Sequence, residues 1–178
     1  FMASQPIKDL QKVKDMMEAL SMRQNGFRDA LFFEFSLSTG LRVSDTLSIR
    51  KRDIIDGILY IKTEKTDVSK TIALNGPLLK KLEIYLEHKR PEDLLFPFRR
   101  QWAHKMMKWA ADQVGLDRNI VSTHTMRKTS AWRFYCNSNY NLVKTQHFLG
   151  HRSPQETIVY LGINETEVNQ QLVATAWS

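Results

Sequence analysis

The sequence predicts an α+β domain, mainly helical, with one small antiparallel sheet. Three observations carry that prediction. Apolar residues recur at helical spacing through most of the chain. A single stretch, residues 54 to 74, changes to β-branched and aromatic residues broken by turn signals. Strand and helix patterns do not alternate, which excludes a parallel sheet built from βαβ units.

The elements follow in order. Ile7, Leu10, Val13, Met17 and Leu20 mark an amphipathic helix over residues 6 to 22. Asn25 caps a second helix, rich in Phe27, Ala30, Leu31, Phe32 and Phe35 and closed by Gly40. That helix is apolar nearly all round, so it should be buried core. Arg42 then stands on a loop, with Asp45 three residues on. Ile54 to Lys62, interrupted by the Asp56-Gly57 turn signal, and Ser69 to Leu74 form a hairpin or three-stranded sheet, with Thr66-Asp67-Val68 between them. Pro77 starts a helix to about Lys89, with Leu78, Leu79, Leu82 and Leu86 on one side, and Pro91 ends it. Gln101 to Val114 is a further helix, with Trp102, Met106 and Trp109, stopped by Gly115. Ser122-Thr123 reads as the N-cap of a helix from His124 to about Asn137. Asn141 to Leu149 is a short helix ended by Gly150, and Ser153-Pro154-Gln155-Glu156 is a capping box opening the helix that holds Tyr160. Asn164 and Glu167 repeat the cap pattern for a last helix with Val168, Leu172, Val173 and Trp177.

Bulk properties bound the function. The 178 residues suffice for one well-cored domain. Lysine and arginine number 26 against 19 acidic residues, a net charge of +7, which makes a polyanion the first partner to consider. One cysteine, Cys136, rules out a disulfide within the chain and a thiolate zinc cluster, and fits a reducing, cytoplasmic setting. No apolar run approaches the roughly 18 residues of a membrane span, so no membrane partner is expected. Phe1 to Gln5, with a residue ahead of Met2, read as an added leader or linker.

The chemistry-bearing residues are few. His124 and Arg127, three apart, share a helix face in a first turn, where unpaired N–H groups and the helix dipole favour an anion. His151 follows Gly150, where the backbone can turn sharply. Tyr160 lies nine positions on, and a phenol of pKa about 10 needs crowding cations or a base to act as a nucleophile. Arg42 offers a fork for two phosphate oxygens, and Asp45 could fix its guanidinium. Lys62, Lys65 and Lys70 compete for any role at the hairpin, and spacing does not choose among them. His88, His104 and His147 show no ligand spacing with Cys136 or with carboxylates, so no metal and no cofactor are expected. Trp102, Trp109 and Trp132 read as core. The basic pairs Lys51-Arg52, Lys80-Lys81, Lys89-Arg90 and Arg99-Arg100 read as solvated faces, some of which could line a DNA groove.

Gly-Leu-Arg42-Val-Ser-Asp45, a hairpin lysine, His124-x-x-Arg127, Leu-Gly-His151 and Tyr160 occur in that order. The set resembles the catalytic domain of the tyrosine recombinases, the phage-integrase and Xer-like family, over most of the chain. The resemblance implies the fold of that catalytic domain and a DNA strand exchange without metal or ATP. Tyr160 matches the nucleophile, which leaves a 3′-phosphotyrosyl link and a free 5′-hydroxyl. Arg42 and Arg127 match the phosphate clamp, His124 the proton-handling or phosphate-binding position, and His151 the second histidine position, which bonds the phosphate. Lys65 resembles the general-acid lysine, with Lys62 the alternative if the hairpin alignment slips. Asp45 stands at an acidic support position.

The resemblance further implies a single catalytic domain over 1–178, without the core-binding domain that precedes it in the family. Double-stranded DNA is the implied partner, with no small-molecule substrate. The tail helix at 164–178 packs either on its own domain or on a neighbouring protomer of a tetramer. An integrase of a bacterial or phage mobile element is the leading expectation, beside a Xer-type resolvase and a type IB topoisomerase-like activity. A DNA-binding regulator on the same fold is the non-enzymatic rival, and the complete residue set argues against it.

Overall fold

Helix α2 (Gly26–Thr39) runs through the middle of the main hydrophobic core of this computed structural model, which describes residues 3–177. Phe32, Phe33 and Phe35 are fully buried, as an all-round apolar helix requires. Phe32 meets Phe96 and Phe98 edge-to-face at 5.2 and 5.0 Å, a favoured aromatic geometry. Helix α1 (Leu10–Ser21) packs against α2 and against α5 (Arg100–Gln113) through Val13, Met16 and Leu20. Helix α4 (Gly76–Leu86) covers another side of α2 with Leu78, Leu82 and Leu86.

Helix α1 begins at Leu10, not at residue 6. The Asp9 carboxylate accepts from the Gln11 and Lys12 amides and caps the helix there. The preceding residues are extended and bonded to the body. Gln5 N donates to Ile120 O, Ile7 N to Thr129 Oγ1 at 2.9 Å, and Lys128 Nζ to Ser4 O. Of the expected leader at residues 1 to 5, Phe1 and Met2 lie outside the described residues.

After α2, Gly40 takes a left-handed conformation at φ 65° and turns the chain. Arg42 caps a short helix, α3 (Val43–Ser48), where a loop was expected. The sheet has the expected three antiparallel strands, β1 (Ile54–Ile55), β2 (Ile58–Lys62) and β3 (Ser69–Ala73), in sequence order. Leu59 opposes Ile72 and Ile61 opposes Lys70. Because strand residues alternate faces, Lys70 shares the inward face with Ile72, and both are half-buried while their neighbours are exposed.

The chain divides into two compact units, residues 1–130 and 131–178, with the boundary inside helix α6 (Thr125–Asn137). The second unit packs α7 (Leu142–Leu149) and α8 (Pro154–Leu161) around Ala131, Leu149 and Leu161, and α9 (Glu165–Ala174) follows without a buried residue. The Ser153 hydroxyl caps α8 through Glu156 N, but the Glu156 carboxylate returns to Arg152 N. The reciprocal box, expected at both helices, closes only at α9, between Asn164 and Glu167. Among the described residues, no helix is long and apolar enough to cross a membrane.

Candidate active site

The first unit gathers cations at one corner. Arg127, in the first turn of α6, is only 4% exposed, and its Nη1 donates to the Gly40 carbonyl at 2.7 Å. A buried guanidinium needs such acceptors. The bond fixes Arg127 to the turn that carries Arg42, two residues beyond Gly40. Both predicted arginines thus belong to one corner, Arg127 buried and Arg42 half-buried.

Asp45 does not clamp Arg42 as the sequence reading foresaw. It is 2% exposed, and its Oδ1 accepts from Glu64 N at 2.9 Å. Its Oδ2 is buried without a hydrogen bond. Asp45 therefore ties α3 to the β2–β3 connection, where Lys65 stands. That turn is closed by Thr63 N to Val68 O, at 2.9 Å, and by the Thr63 and Thr66 hydroxyls at 2.7 Å.

The three hairpin lysines differ. Lys62 pairs with Asp67 at 2.9 Å in the open, an interaction worth little. Lys65 is exposed at the turn. Lys70 is half-buried. Burial holds its ammonium below the usual lysine range; Arg127 and Arg42 push the same way, and Asp45 opposes them. Lys70 is thus the hairpin lysine on which the arginine charges act.

His124 sits one residue ahead of α6 rather than inside it, and its carbonyl accepts from Lys128 N at 3.0 Å. Ser122 and Thr125 fix the turn. Ser122 N donates to Thr125 Oγ1 at 2.8 Å, and His124 N to Ser122 Oγ at 3.1 Å. The ring lies at the surface, yet partial burial pushes its pKa down. The charges of Arg100, Lys128, Arg127 and Arg42 add to that in descending order. The imidazole is therefore neutral near pH 7.

The second unit supplies the remaining pair. Gly150 closes α7 at φ 70°, and His151 N returns to Gln146 O at 3.1 Å. His151 Nδ1 bonds the buried Thr157 hydroxyl at 3.0 Å, which fixes the orientation of the ring. Tyr160, half-buried, lies one helical turn beyond Thr157 on α8, its ring edge-to-face with His151 at 5.1 Å and 79°. Among the described residues no cluster of three or more histidine, cysteine or acidic side chains could hold a metal ion.

The first unit thus offers two guanidiniums, an ammonium and a neutral imidazole, and the second an oriented imidazole beside a phenol. The former can hold a phosphate and move protons, and the latter can supply a nucleophile. Of the corner's cations, the sequence named Lys70 only as one of three competing lysines, and Arg100 only as half of a basic pair. The signal for Lys70 was its strand parity with Ile72. Arg100 gave no signal, because a basic pair at a helix start looks solvated.

The model of the phage integrase family matches residues 9–167. The probable integrase/recombinase YoeC of Bacillus subtilis is 29% identical over 169 residues, which cover 90% of this chain and 91% of that protein. The tyrosine recombinase XerD of Staphylococcus haemolyticus is 27% identical over 180 residues, covering 91% of this chain but 59% of XerD. The chain thus spans nearly all of the first relative and little more than half of the second. The crystal structure of the XerA recombinase matches with a TM-score of 0.75 at 20% identity, over 97% of this chain and 64% of that one. The catalytic domain of bacteriophage HP1 integrase matches with a TM-score of 0.68 at 16% identity, over 97% of this chain and 96% of that domain. At these identities the structural likeness speaks for the fold.

Proposed function

This chain belongs to the phage integrase family, the tyrosine recombinases, and on that footing we propose that it is a catalytic domain that cleaves and rejoins DNA strands through a covalent tyrosyl link. The observation that carries the reading is the buried Arg127 guanidinium bonded to the Gly40 carbonyl, which commits a second arginine to the corner of Arg42. A buried guanidinium costs desolvation. Holding one at a turn of the chain beside another cation suits a ligand that carries negative charge.

Arg42 and Arg127 hold the two non-bridging oxygens of a backbone phosphate. The Tyr160 oxygen attacks phosphorus, and its proton passes to a neutral histidine, His124 or His151. The bond from phosphorus to the 5′-oxygen breaks, and a lysine protonates that oxygen, which leaves as a 5′-hydroxyl. Attack by another strand's 5′-hydroxyl reverses each step and restores the phosphodiester. The bond energy stays in the tyrosyl ester, so the chemistry consumes no nucleotide. Much of the barrier is lowered by positioning and by cations set where charge develops. Family likeness favours Lys65 as the acid. The dehydrated setting of Lys70, beside both arginines, favours the second.

The natural substrate would be a specific duplex site bound by several protomers in the bacterial cytoplasm. Helix α9 buries no residue and leaves Leu172 66% and Val173 83% exposed, which supports its docking on another copy. The reading is tested with a nicked suicide substrate bearing the cognate site, without added metal. On a denaturing gel the natural protein gives a covalent protein–DNA band and Tyr160→Phe gives none. DNA binding with no band in either would point to a regulator that kept the fold.

A further inference from the structure

We propose that Arg100 is a positioning residue for His124, clipping from a neighbouring helix the turn that carries the imidazole. The inference rests on the reading of His124 as a proton-handling group.

The geometry comes first. Arg100 is the first residue of α5, whose Ala103, Met106, Met107, Ala110 and Ala111 are all buried. Trp102 Nε1 reaches the fully buried Asp29 carboxylate at 3.4 Å. Helix α5, at whose start the exposed Arg100 stands, is therefore anchored in the core of the first unit. Its Nη2 donates to Thr123 Oγ1 at 3.4 Å. Thr123 is 5% exposed and directly precedes His124. The Ser122–Thr125 bonds hold the turn from within, and Arg100 holds it from a neighbouring element.

The electrostatics point the same way. The charged groups acting on His124 are Arg100 from α5, Arg127 and Lys128 from α6, and Arg42 from the corner after α2. All are cations. The carboxylate of this region, Asp45, is committed to the hairpin amide. Burial lowers the His124 pKa most; among the charges Arg100 acts most strongly, and it stays protonated at any working pH. A protonated His124 cannot accept the phenol proton, so burial first and Arg100 second push down the acid limit below which the site stops working.

A surface arginine could instead simply bind a DNA phosphate, and the two roles separate by experiment. The test titrates the five histidines by carbon–proton NMR in the full 178-residue chain, free of DNA, for the natural protein, Arg100→Gln and Arg100→Lys. In the natural protein His124 titrates below its ordinary 6.5. Arg100→Gln moves it up toward that value, Arg100→Lys largely does not, and His88, His147 and His151, none of them on α5, stay in place. Their constancy shows that the fold is intact. An unmoved His124 in Arg100→Gln overturns the proposal, as does an equal shift of all five.

The second arm measures formation of the covalent adduct against pH. Arg100→Gln loses several-fold more activity than the natural protein between about pH 8 and pH 6, around the ordinary histidine pKa. Parallel profiles lowered equally at every pH, with His124 unmoved, are the outcome for a plain phosphate contact. A shifted His124 with an unshifted profile upholds the Arg100 coupling and removes His124, not Arg100, from the proposed reaction.

Discussion

Arg42 and Arg127 read alike in the sequence, but burial separates them. Arg127 is 4% exposed and bonded to a backbone carbonyl, whereas Arg42 is half-buried. Removing Arg127 leaves the Gly40 carbonyl buried without a partner, which costs about 1–3 kcal/mol. Arg127→Ala should therefore lower the urea midpoint as well as abolish adduct formation, while Arg42→Ala abolishes the adduct at near-natural stability. Equal stability of the two variants would show that the Gly40 bond does not matter to the fold. The lysines separate by leaving group. A substrate with sulfur in place of the bridging 5′-oxygen expels a thiolate that needs no proton. The lysine that acts as general acid is the one whose alanine variant is inactive on oxygen but rescued on sulfur. Rescue of Lys70→Ala with Lys65→Ala near natural activity would assign the acid to β3, and the reverse pattern would assign it to the turn. Sequence order alone named Arg42, Asp45, His124, Arg127, His151 and Tyr160. It left the lysine open because a turn can slip by a residue without disturbing the pattern around it. It misjudged the partner of Asp45, since a carboxylate three residues from an arginine gives no hint of an amide 19 residues away.

At the scale of elements, caps and glycines were the most legible features, because each is a local rule. Gly40 and Gly150 end α2 and α7 in the left-handed conformation, as their positions after apolar runs require. Helix α3 was missed, since its six residues lie between Arg42 and Ile49 with no apolar period of their own. The start of α1 was misplaced because Ile7 fits the helical period, yet its amide bonds to Thr129, 122 residues away. A periodicity argument sees only local contacts. Gly150 offers a clean test of the local rule. A Cβ there meets nothing within 4 Å, so Gly150→Ala carries only the backbone cost. That cost is about 1 kcal/mol for an L-residue held left-handed. We expect a urea midpoint lower by that amount, and also slower adduct formation, because the same turn carries His151 next to Tyr160. A loss of stability with unchanged cleavage would detach the α7 end from the chemistry.

At the scale of the whole molecule, the tail decides between a self-contained domain and a part of an assembly. Helix α9 has ten residues, too few to be stable alone in water, and its capping box secures only one end. It buries no residue, while Val168, Leu172 and Val173 are 50%, 66% and 83% exposed, and Trp177 beyond it is 99% exposed. Apolar side chains this exposed contribute little to the stability of the chain that carries them. A chain ending at residue 163 should therefore unfold within about 0.5 kcal/mol of the full chain, the range of surface changes. On DNA carrying paired sites, the full chain should form a slower-sedimenting share of single complexes and a faster, multi-protomer species, and the shortened chain only the former. A loss of about 2 kcal/mol or more on shortening would instead mean that α9 packs on its own unit, since only burial of several apolar side chains supplies that much. The charge of the chain does not confuse the comparison. Residues 164–177 include Glu165 and Glu167 and no lysine or arginine. Removing them makes the protein more basic, so nonspecific DNA affinity should rise slightly. A lost multi-protomer species then reports lost contact between protomers rather than weakened hold on DNA.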